Sequence, residues 1–343
     1  FFKQKTAYEI KECDWSSDVC SSDLLGERVL KLEERLGYKH KGIEKRFQGM
    51  TLDDGVRLAA RVSGDSTVAY GWAYAMAVEG VTRIAVPARA LWLRALMLER
   101  ERIANHLGDL GFIGNDAGLA FGLTQFSLLK EDMLRLNAEL FGHRYLMDAI
   151  VPGGVAADIT QGHMARMLNE ADEIEPAVHM LKRVYDEHAG LQDRLRECGT
   201  VLTALAAQLG LCGLAGRASG QAHDVRTVFA PEPYDRLEVN IATAQGGDVA
   251  ARVAVRFAEV FESLGLVRRI LESMPAGQFK AETRAVEPNA GGVGWVEGWR
   301  GDVFIALDAG SDGRITRCHA HDPSWQNWPL IEHAVINNIM PDF

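Results

Sequence analysis

The sequence predicts a mainly α-helical protein with a smaller β portion, an α+β fold in which long helices form a bundle. Segments in the middle of the chain repeat apolar residues at intervals of three and four, the spacing of one helix face. Near the C-terminus apolar and polar residues alternate, as they do in strands. With 343 residues, 47% of them hydrophobic, the chain can bury a large core.

Five segments carry the helical pattern, and a shorter buried helix is predicted between the last two. They are residues 68–78, 89–110, 119–146, 160–194 and 246–274, with the short helix at 201–211. Gly80 is expected to end the first helix, because glycine disfavours helical backbone. Thr160 is a suitable N-cap for the fourth, and Pro275 cannot continue the fifth.

The β portion is predicted from both ends of the chain. Residues 27–36 have apolar positions that fit either a strand or a helix. Residues 291–308 and 314–321 alternate apolar and polar side chains on either side of a Ser-Asp-Gly turn, which predicts a hairpin.

Charge and cysteine content exclude several classes of protein. The formal net charge is −10 and no basic run is present, so nucleic acid is not an expected partner. No apolar stretch reaches the roughly 20 residues of a membrane-spanning helix, which favours a protein that is soluble or held at a membrane by partners. The five cysteines form no C-x-x-C pair, so the sequence does not support structural zinc or a disulfide framework, and a reducing cytoplasm fits best.

Residues 1–24 differ in composition from the rest of the chain. Back-translated, residues 14–24 resemble a short-read sequencing adapter, and residues 2–10 resemble its flow-cell primer. We therefore interpret residues 1–24 as an artefactual or disordered segment, the alternative being a genuine polar extension. Residues 25–343 are predicted to form a single domain.

Eight stretches of residues 25–343 together resemble one superfamily. They are residues 37–46 (GYKHKGIEKR), 61–79, 98–118 (LERERIANHLGDLGFIGNDAG), 142–155, 213–226 (GLAGRASGQAHDVR), 247–264, 296–302 (VEGWRGD) and 321–335. The chain resembles the large subunits of nickel–iron hydrogenases and the homologous quinone-module subunit of complex I, the NADH-quinone oxidoreductase. It is most similar to the hydrogenase-4 and formate-hydrogenlyase branch. The resemblance implies that family's long-helix bundle, and a domain shortened at both ends.

The resemblance also implies a variant without a metal centre. Hydrogenases of this superfamily hold nickel and iron with four cysteines in two C-x-x-C pairs. The first pair falls on Ser63 and Ser66, the second on Ser324 and Asn327, and a family histidine falls on Tyr70. Neutral hydroxyl and amide groups do not replace soft, anionic thiolates.

In complex I the corresponding cavity receives a quinone headgroup. The resemblance then implies an acceptor pocket with polar walls, formed by Ser63, Asp65, Ser66, Tyr70, Asp322 and Ser324. This chain would hold no cofactor itself. An iron–sulfur cluster would belong to a small partner subunit, and NAD only to the complex as a whole. Antiporter-like membrane subunits would be further partners, at the cytoplasmic face of the inner (plasma) membrane.

Two residues near the start of the domain are candidates for catalytic roles. Glu44 matches a hydrogenase glutamate used for proton transfer, a task that suits a partly buried carboxylate with a raised pKa. The alternative is a helix-side glutamate paired with Lys41 or Lys45. His40 could donate to a quinone carbonyl; the alternative is an ordinary surface histidine.

One helix carries a narrow arc of charged residues, Glu99, Arg102, His106 and Asp109. The arc could relay protons or couple to membrane partners, or it could be a structural ion-pair network. Two functions therefore remain open. The first is a peripheral oxidoreductase subunit that forms a site for quinone or a related acceptor and is inactive alone. The second is a non-catalytic structural and coupling subunit.

Overall fold

The architecture comes from a computed structural model that describes residues 19–37, 40–282 and 289–339. Its helices are α1 (Ile43–Phe47), α2 (Leu52–Ala59), α3 (Thr67–Thr82), α4 (Ala88–Asp116), α5 (Ala120–Phe141), α6 (Gln161–Glu187), α7 (Ala189–Leu195), α8 (Thr203–Gln208), α9 (Gly213–Ala218), α10 (Val225–Val228), α11 (Val249–Glu272) and α12 (Ser324–Ala334). Its strands are β1 (Val19–Leu25), β2 (Arg28–Arg35), β3 (Ile150–Val151), β4 (Gly154–Val155), β5 (Gly291–Gly298), β6 (Gly301–Ala309) and β7 (Ile315–His321). The predicted α+β class is confirmed.

Helix α3 lies at the centre and is buried on nearly every side. Its many alanines and glycines leave room for neighbours to approach closely. Strand β5 lies directly on it, where a Cβ on Gly294 would come within 1.9 Å of the carbonyl oxygen of Ala73. A Cβ on Gly292 would meet the carbonyl oxygen of Ala77 at the same distance. These two positions of β5 therefore require glycine.

The long helices α4, α5, α6 and α11 pack around this centre as a bundle. Helix α4 contacts α5, α11 and α3, and α11 also packs on α6. Thr160 caps α6 as predicted: its hydroxyl accepts from the backbone N–H of His163 at 3.2 Å. Asp248 caps α11 and accepts from the N–H of Ala251 at 2.7 Å.

The C-terminal sheet is an antiparallel meander in the order β5-β6-β7. Alternate residues of β6 are buried against α3, as the sequence pattern predicts. The predicted hairpin around residues 311–313 is confirmed as the β6–β7 connection. Residues 291–308, predicted as one segment, instead form most of two strands joined by a turn at Trp299 and Arg300.

Several helix predictions were wrong at their ends. Helix α4 continues to Asp116, six residues beyond the predicted end, and α5 ends at Phe141, five residues before it. Helix α3 continues through Gly80 and ends where Arg83 adopts a left-handed φ of 51°. Residues 160–194 form two helices, because His188 has extended backbone and its Nδ1 accepts from the N–H of Leu191 as the N-cap of α7. Only residues 203–208 of the predicted helix 201–211 are helical, and Ala206 is the buried one among them.

The structure describes six of the residues that we interpret as an artefactual or disordered segment, residues 19–24. Residues 1–18 lie outside the described residues. Residues 19–24, which we expected to lack order, belong to β1, which pairs antiparallel with β2. That expectation was wrong for residues 19–24, and the origin of the segment stays a prediction. Nowhere in the described ranges does a helix have the length and apolar character to cross a bilayer.

Candidate functional site

The loop before α3 is organised by one carboxylate, that of Asp65. The hydroxyl of Ser63 donates to Asp65 Oδ1 at 2.6 Å, and the hydroxyl of Ser66 lies 3.5 Å from the same oxygen. Arg300, in the β5–β6 turn, donates from Nη2 to Asp65 Oδ2 at 2.6 Å. Burial alone would raise the pKa of Asp65, but Arg300 and the Ser63 hydroxyl outweigh it and hold the pKa below its usual value.

A second carboxylate, Asp322, organises the start of α12. The Tyr70 hydroxyl donates to Asp322 Oδ2 at 2.6 Å, and the backbone N–H of Ser324 donates to Oδ1 at 2.9 Å. Burial and the Asp322 charge raise the pKa of Tyr70 far above its usual value. Tyr70 therefore remains a neutral hydrogen-bond donor.

A cavity of about 320 Å³ lies between α9, α11, α12 and the β5–β6 turn. Its lining residues are Leu214, Ala215, Arg252, Arg256, Trp299, Arg300, Ser324, Asn327, Trp328 and Ile331. Of the six predicted pocket residues, Ser324 lines this cavity. Ser63, Asp65 and Ser66 reach it only through Arg300, and Tyr70 and Asp322 only through the start of α12.

Sequence reasoning missed the arginines and tryptophans of this cavity. Arg300 and Trp299 belong to the VEGWRGD stretch, which we used for the resemblance and not for the pocket. Arg252 and Arg256 lie four residues apart on α11, a spacing that puts both on one helix face. That spacing was the signal available in the sequence.

Glu44 and His40 lie outside the cavity lining. Glu44 is 52% exposed and pairs with His319, whose Nδ1 is 2.5 Å from Glu44 Oε1. Neither the expected partial burial nor the alternative pairing with a neighbouring lysine is found. His40 is exposed, and its Nδ1 accepts from the N–H of Gly42 at 3.2 Å.

The charged arc of α4 lies mostly in the interior. Glu99 accepts hydrogen bonds from the Tyr234 hydroxyl at 2.5 Å and the Ser263 hydroxyl at 2.6 Å, and pairs with Arg226 at 3.2 Å. His106 Nε2 is 2.7 Å from Glu259 Oε2. This arrangement is a buried ion-pair network that joins α4 to α10 and α11.

Arg217 of α9 extends the network to the sheet. It donates to Glu259 at 2.8 Å and to Glu297 of β5 at 2.7 Å. Burial raises the pKa of Glu297 to about 7, whereas Arg217 and the His106 hydrogen bond overcome burial and hold the pKa of Glu259 well below its usual value. The fourth residue of the arc, Asp109, instead pairs with Arg256 at 2.9 Å beside the cavity.

Glu101 is a buried carboxylate of a different kind. It accepts from the backbone N–H groups of Val68 at 2.7 Å and Ala69 at 3.2 Å, at the N-terminus of α3. Burial raises the pKa of Glu101 to about 8, and the charge of Asp65 acts in the same direction. At neutral pH the group is therefore mainly protonated.

The donor atoms around the cavity do not fit a nickel–iron centre. Ser324 and Asn327 offer a hydroxyl and an amide, and Ser63 hydrogen-bonds Asp65. The buried thiols Cys212 and Cys318 do not line the cavity, and burial raises the pKa of each to about 12. Within the described ranges, no group of three or more His, Cys, Asp or Glu side chains is arranged to hold a metal ion.

A long-helix bundle with a cavity between α9, α11, α12 and the β5–β6 turn is the architecture expected for the class of hydrogenase-type and complex I-type large subunits. Residues 116–293 match the family described as respiratory-chain NADH dehydrogenase, 49 kDa subunit. The chain belongs to this family.

Relatives extend the similarity over most of the chain. The carbon monoxide-induced hydrogenase of Rhodospirillum rubrum is 29% identical over 307 residues, 89% of this chain and 85% of the relative. A subunit of the NADH-quinone oxidoreductase of Thermosipho melanesiensis is 31% identical over 253 residues, 74% of this chain and 69% of the relative. Formate hydrogenlyase subunit 5 of Escherichia coli is 28% identical, and the match spans 92% of this chain but 56% of the relative.

A solved structure agrees with the fold. A chain of the membrane-bound sulfane sulfur reductase, an archaeal respiratory membrane complex, superimposes with a TM-score of 0.89 at 24% identity. The match covers 95% of this chain and 90% of that one. The relatives are thus hydrogenases and subunits of oxidoreductase complexes, one of them a membrane-bound hydrogenase subunit of Pyrococcus furiosus, in agreement with the class inferred from the sequence.

Proposed function

We propose that the chain is a peripheral, non-autonomous subunit of a membrane-associated oxidoreductase of the complex I and energy-converting hydrogenase type. Its cavity receives a quinone or a related acceptor in place of a nickel–iron centre. An iron–sulfur small subunit supplies the electrons, and antiporter-like membrane subunits complete the assembly at the cytoplasmic face. NAD takes part only if another subunit of the complex binds it.

The observation that carries this proposal is the cavity beside Ser324 and Asn327. Its volume of about 320 Å³ is at the lower end of small-molecule sites. Trp328 and Ile331 provide apolar walls, and Arg300 provides hydrogen-bond donors for a carbonyl oxygen. Arginine donors stabilise the negative charge that develops on a quinone oxygen during reduction.

Glu44 remains the proposed start of a proton route. It hydrogen-bonds His319, whose ring contacts Trp325 edge-on at 5.3 Å between centroids. Trp325 follows Ser324 in α12, so the ring contact places the Glu44–His319 pair beside an element of the cavity wall. His40, which is exposed and precedes the start of α1 at Ile43, stays a proposed contributor.

A specific observation favours the second function, that of a structural and coupling subunit. Several predicted pocket residues form hydrogen bonds with one another, as in Ser63 with Asp65 and Tyr70 with Asp322. Such closed pairs are typical of a structural polar cluster. An experiment must therefore separate binding in the cavity from assembly of the complex.

The test uses the complete complex isolated from membranes with its partner subunits. Its nickel and iron content is measured by elemental analysis, and quinone reduction is compared with that of an Ala215→Phe variant, which fills the cavity. We expect iron without nickel, and loss of quinone reduction in a variant that still assembles. Ala207→Phe, at an exposed position of α8, is the matched control.

Either of two outcomes would contradict the proposal. Stoichiometric nickel would mean that the complex holds a nickel–iron centre and that this chain is a hydrogenase subunit. Unchanged quinone reduction in an assembled Ala215→Phe complex would instead favour the structural and coupling subunit.

A further inference from the structure

All charged side chains among the residues lining the cavity carry the same sign. They are Arg252 and Arg256, one turn apart on α11, and Arg300 in the β5–β6 turn. Like charges four residues apart on a helix repel each other. A cluster of like charges is stable only if negative groups compensate it.

Two of the three arginines have carboxylate partners. Arg256 donates to Asp109 Oδ2 at 2.9 Å, and Arg300 donates to Asp65 Oδ2 at 2.6 Å. Each of these acids approaches from outside the cavity and compensates one guanidinium. Arg252 is the third arginine of the cavity, and neither of these acids compensates its charge.

Arg252 is held by backbone carbonyls instead. Its Nη1 donates to the carbonyl oxygen of Gly247 at 2.8 Å, and its Nη2 donates to that of Gly199 at 3.0 Å. The nearby carboxylate of Asp248 accepts from the backbone N–H groups of Glu197 and Ala251. These contacts fix the guanidinium in position, and no carboxylate of the described residues is hydrogen-bonded to it.

The electrostatics agree with this arrangement. Burial and the neighbouring Arg256 charge lower the pKa of Arg252 to about 10, against weaker opposing effects of Cys198 and Asp248. Because an arginine keeps its proton at neutral pH, the cation stays in an unfavourable environment. A negative charge entering the cavity would relieve this cost.

The other lining groups indicate the shape of the ligand. Trp299 is 2% exposed, and its indole N–H has no hydrogen-bond partner among the described residues. The Arg300 guanidinium lies 4.0 Å above the Trp299 ring, so that ring and its donor are held in place. A buried donor without a partner costs free energy that a ligand oxygen would recover.

We infer that the cavity binds a planar quinonoid oxyanion in preference to a neutral quinone of the same shape, an inference that rests on the proposed acceptor site. The oxyanion takes charge-assisted hydrogen bonds from Arg252 and Arg300, which are stronger than those to a neutral carbonyl. The ring packs against Trp328, and one of its oxygens accepts from the indole N–H of Trp299.

The experiment compares two ring systems of nearly equal shape and different charge. 2-Hydroxy-1,4-naphthoquinone is an anion at pH 7, and 2-methoxy-1,4-naphthoquinone is neutral. Equilibrium binding of each to the isolated complex is measured by quenching of tryptophan fluorescence and by calorimetry. We expect the hydroxy compound to bind about tenfold more tightly or better at low salt, with a smaller ratio at high salt.

Two variants of Arg252 test whether this residue causes the preference for the anionic compound. Arg252→Gln should reduce the affinity ratio towards one by weakening only the anion, and Arg252→Lys, which keeps the charge, should retain part of the preference. The matched control is Arg268→Gln on the same helix, whose side chain pairs with Asp172 and Glu175. This control should leave the ratio unchanged.

The outcomes separate the inference from the function on which it rests. If neither compound binds, the proposed acceptor site is wrong. If both bind with equal affinity, or Arg252→Gln weakens both equally, the acceptor site stands and the preference for an oxyanion is wrong. Tighter anion binding that Arg252→Gln abolishes supports both.

Discussion

At the scale of single residues, Glu101 differs from the buried carboxylates of the ion-pair network. Glu99 and Glu259 have arginine partners that favour their ionised forms. Glu101 instead accepts two backbone N–H groups, and burial, helped by the Asp65 charge, raises its pKa more than these N–H groups and Arg102 lower it. Its protonation therefore depends on pH in the physiological range.

The pKa of Glu101 predicts a pH-dependent contribution to stability. The folded-state pKa is about 8 and the ordinary value is 4.5. Between these pH values the folded protein holds a proton on Glu101 that the unfolded chain has lost. The contribution of Glu101 to the free energy of unfolding therefore falls as pH rises through this window. Glu101→Gln cannot ionise, so its free energy of unfolding relative to the unmodified protein should increase from pH 5 to pH 8, on the order of a few kcal/mol.

Urea unfolding of the purified chain at both pH values measures this difference. Glu173→Gln, at an exposed position of α6, is the control and should show no such increase. A Glu101→Gln effect that is the same at pH 5 and pH 8 would mean that Glu101 is ionised throughout.

The sequence indicated only part of the candidate site at this scale. Resemblance to the family located Ser324 and Asn327 at the cavity, because motif positions identify the chain segments that meet there. It could not reveal Arg252, whose role depends in part on the carbonyl of Gly199, 53 residues away, that the fold brings to it. Hydrogen-bond partners distant in sequence leave no local pattern.

At the scale of elements, the contact between α3 and β5 shows how closely two backbones pack in this fold. Gly294 touches the α3 backbone with no space for a methyl group. A methyl group at this position would overpack the contact. The neighbouring atoms belong to the backbone and cannot move away by a change of rotamer.

Gly294→Ala should therefore destabilise the protein by about 3 kcal/mol. Gly265→Ala, on α11, is the matched control because no atom lies within 4 Å of its added Cβ. It should stabilise the helix by about 0.5–1 kcal/mol through lower backbone entropy in the unfolded chain. Thermal unfolding of both variants tests the pair, and equal effects would contradict direct contact between β5 and α3.

Helical periodicity predicted the long helices well where one face is apolar, as in α11. It was less informative for α3, which is apolar all round, so its end was placed at Gly80 on propensity alone. The break at His188 depends on a side-chain cap that a periodic pattern does not contain. The folded structure overrides local propensity at such positions.

At the scale of the whole molecule, the buried ion pairs connect elements that are far apart in sequence. Arg226 of α10 pairs with Glu99 of α4 and, at 2.7 Å, with Asp224. Arg217 of α9 joins Glu259 of α11 to Glu297 of β5. The network fixes the position of the helical bundle relative to the sheet.

Breaking the network should be far more costly than removing a surface pair. Arg226→Met leaves Asp224 and Glu99 without that cation and should destabilise the protein by about 3–5 kcal/mol. Arg236→Met removes a guanidinium that is 60% exposed and pairs with Glu232, and should change stability by less than about 0.5 kcal/mol. Denaturant midpoints of the two variants provide the comparison, and similar midpoints would contradict a structural role for the network.

The position of β5 against α3 also has a consequence during synthesis. Strand β5 begins roughly 210 residues after α3 ends, which at about 5–20 residues per second corresponds to about 10–40 s of translation. During that interval an apolar helix without its cover is available to ribosome-associated chaperones and to other nascent chains. The face of α3 that β5 and β6 cover is therefore the last part of this helix to be buried.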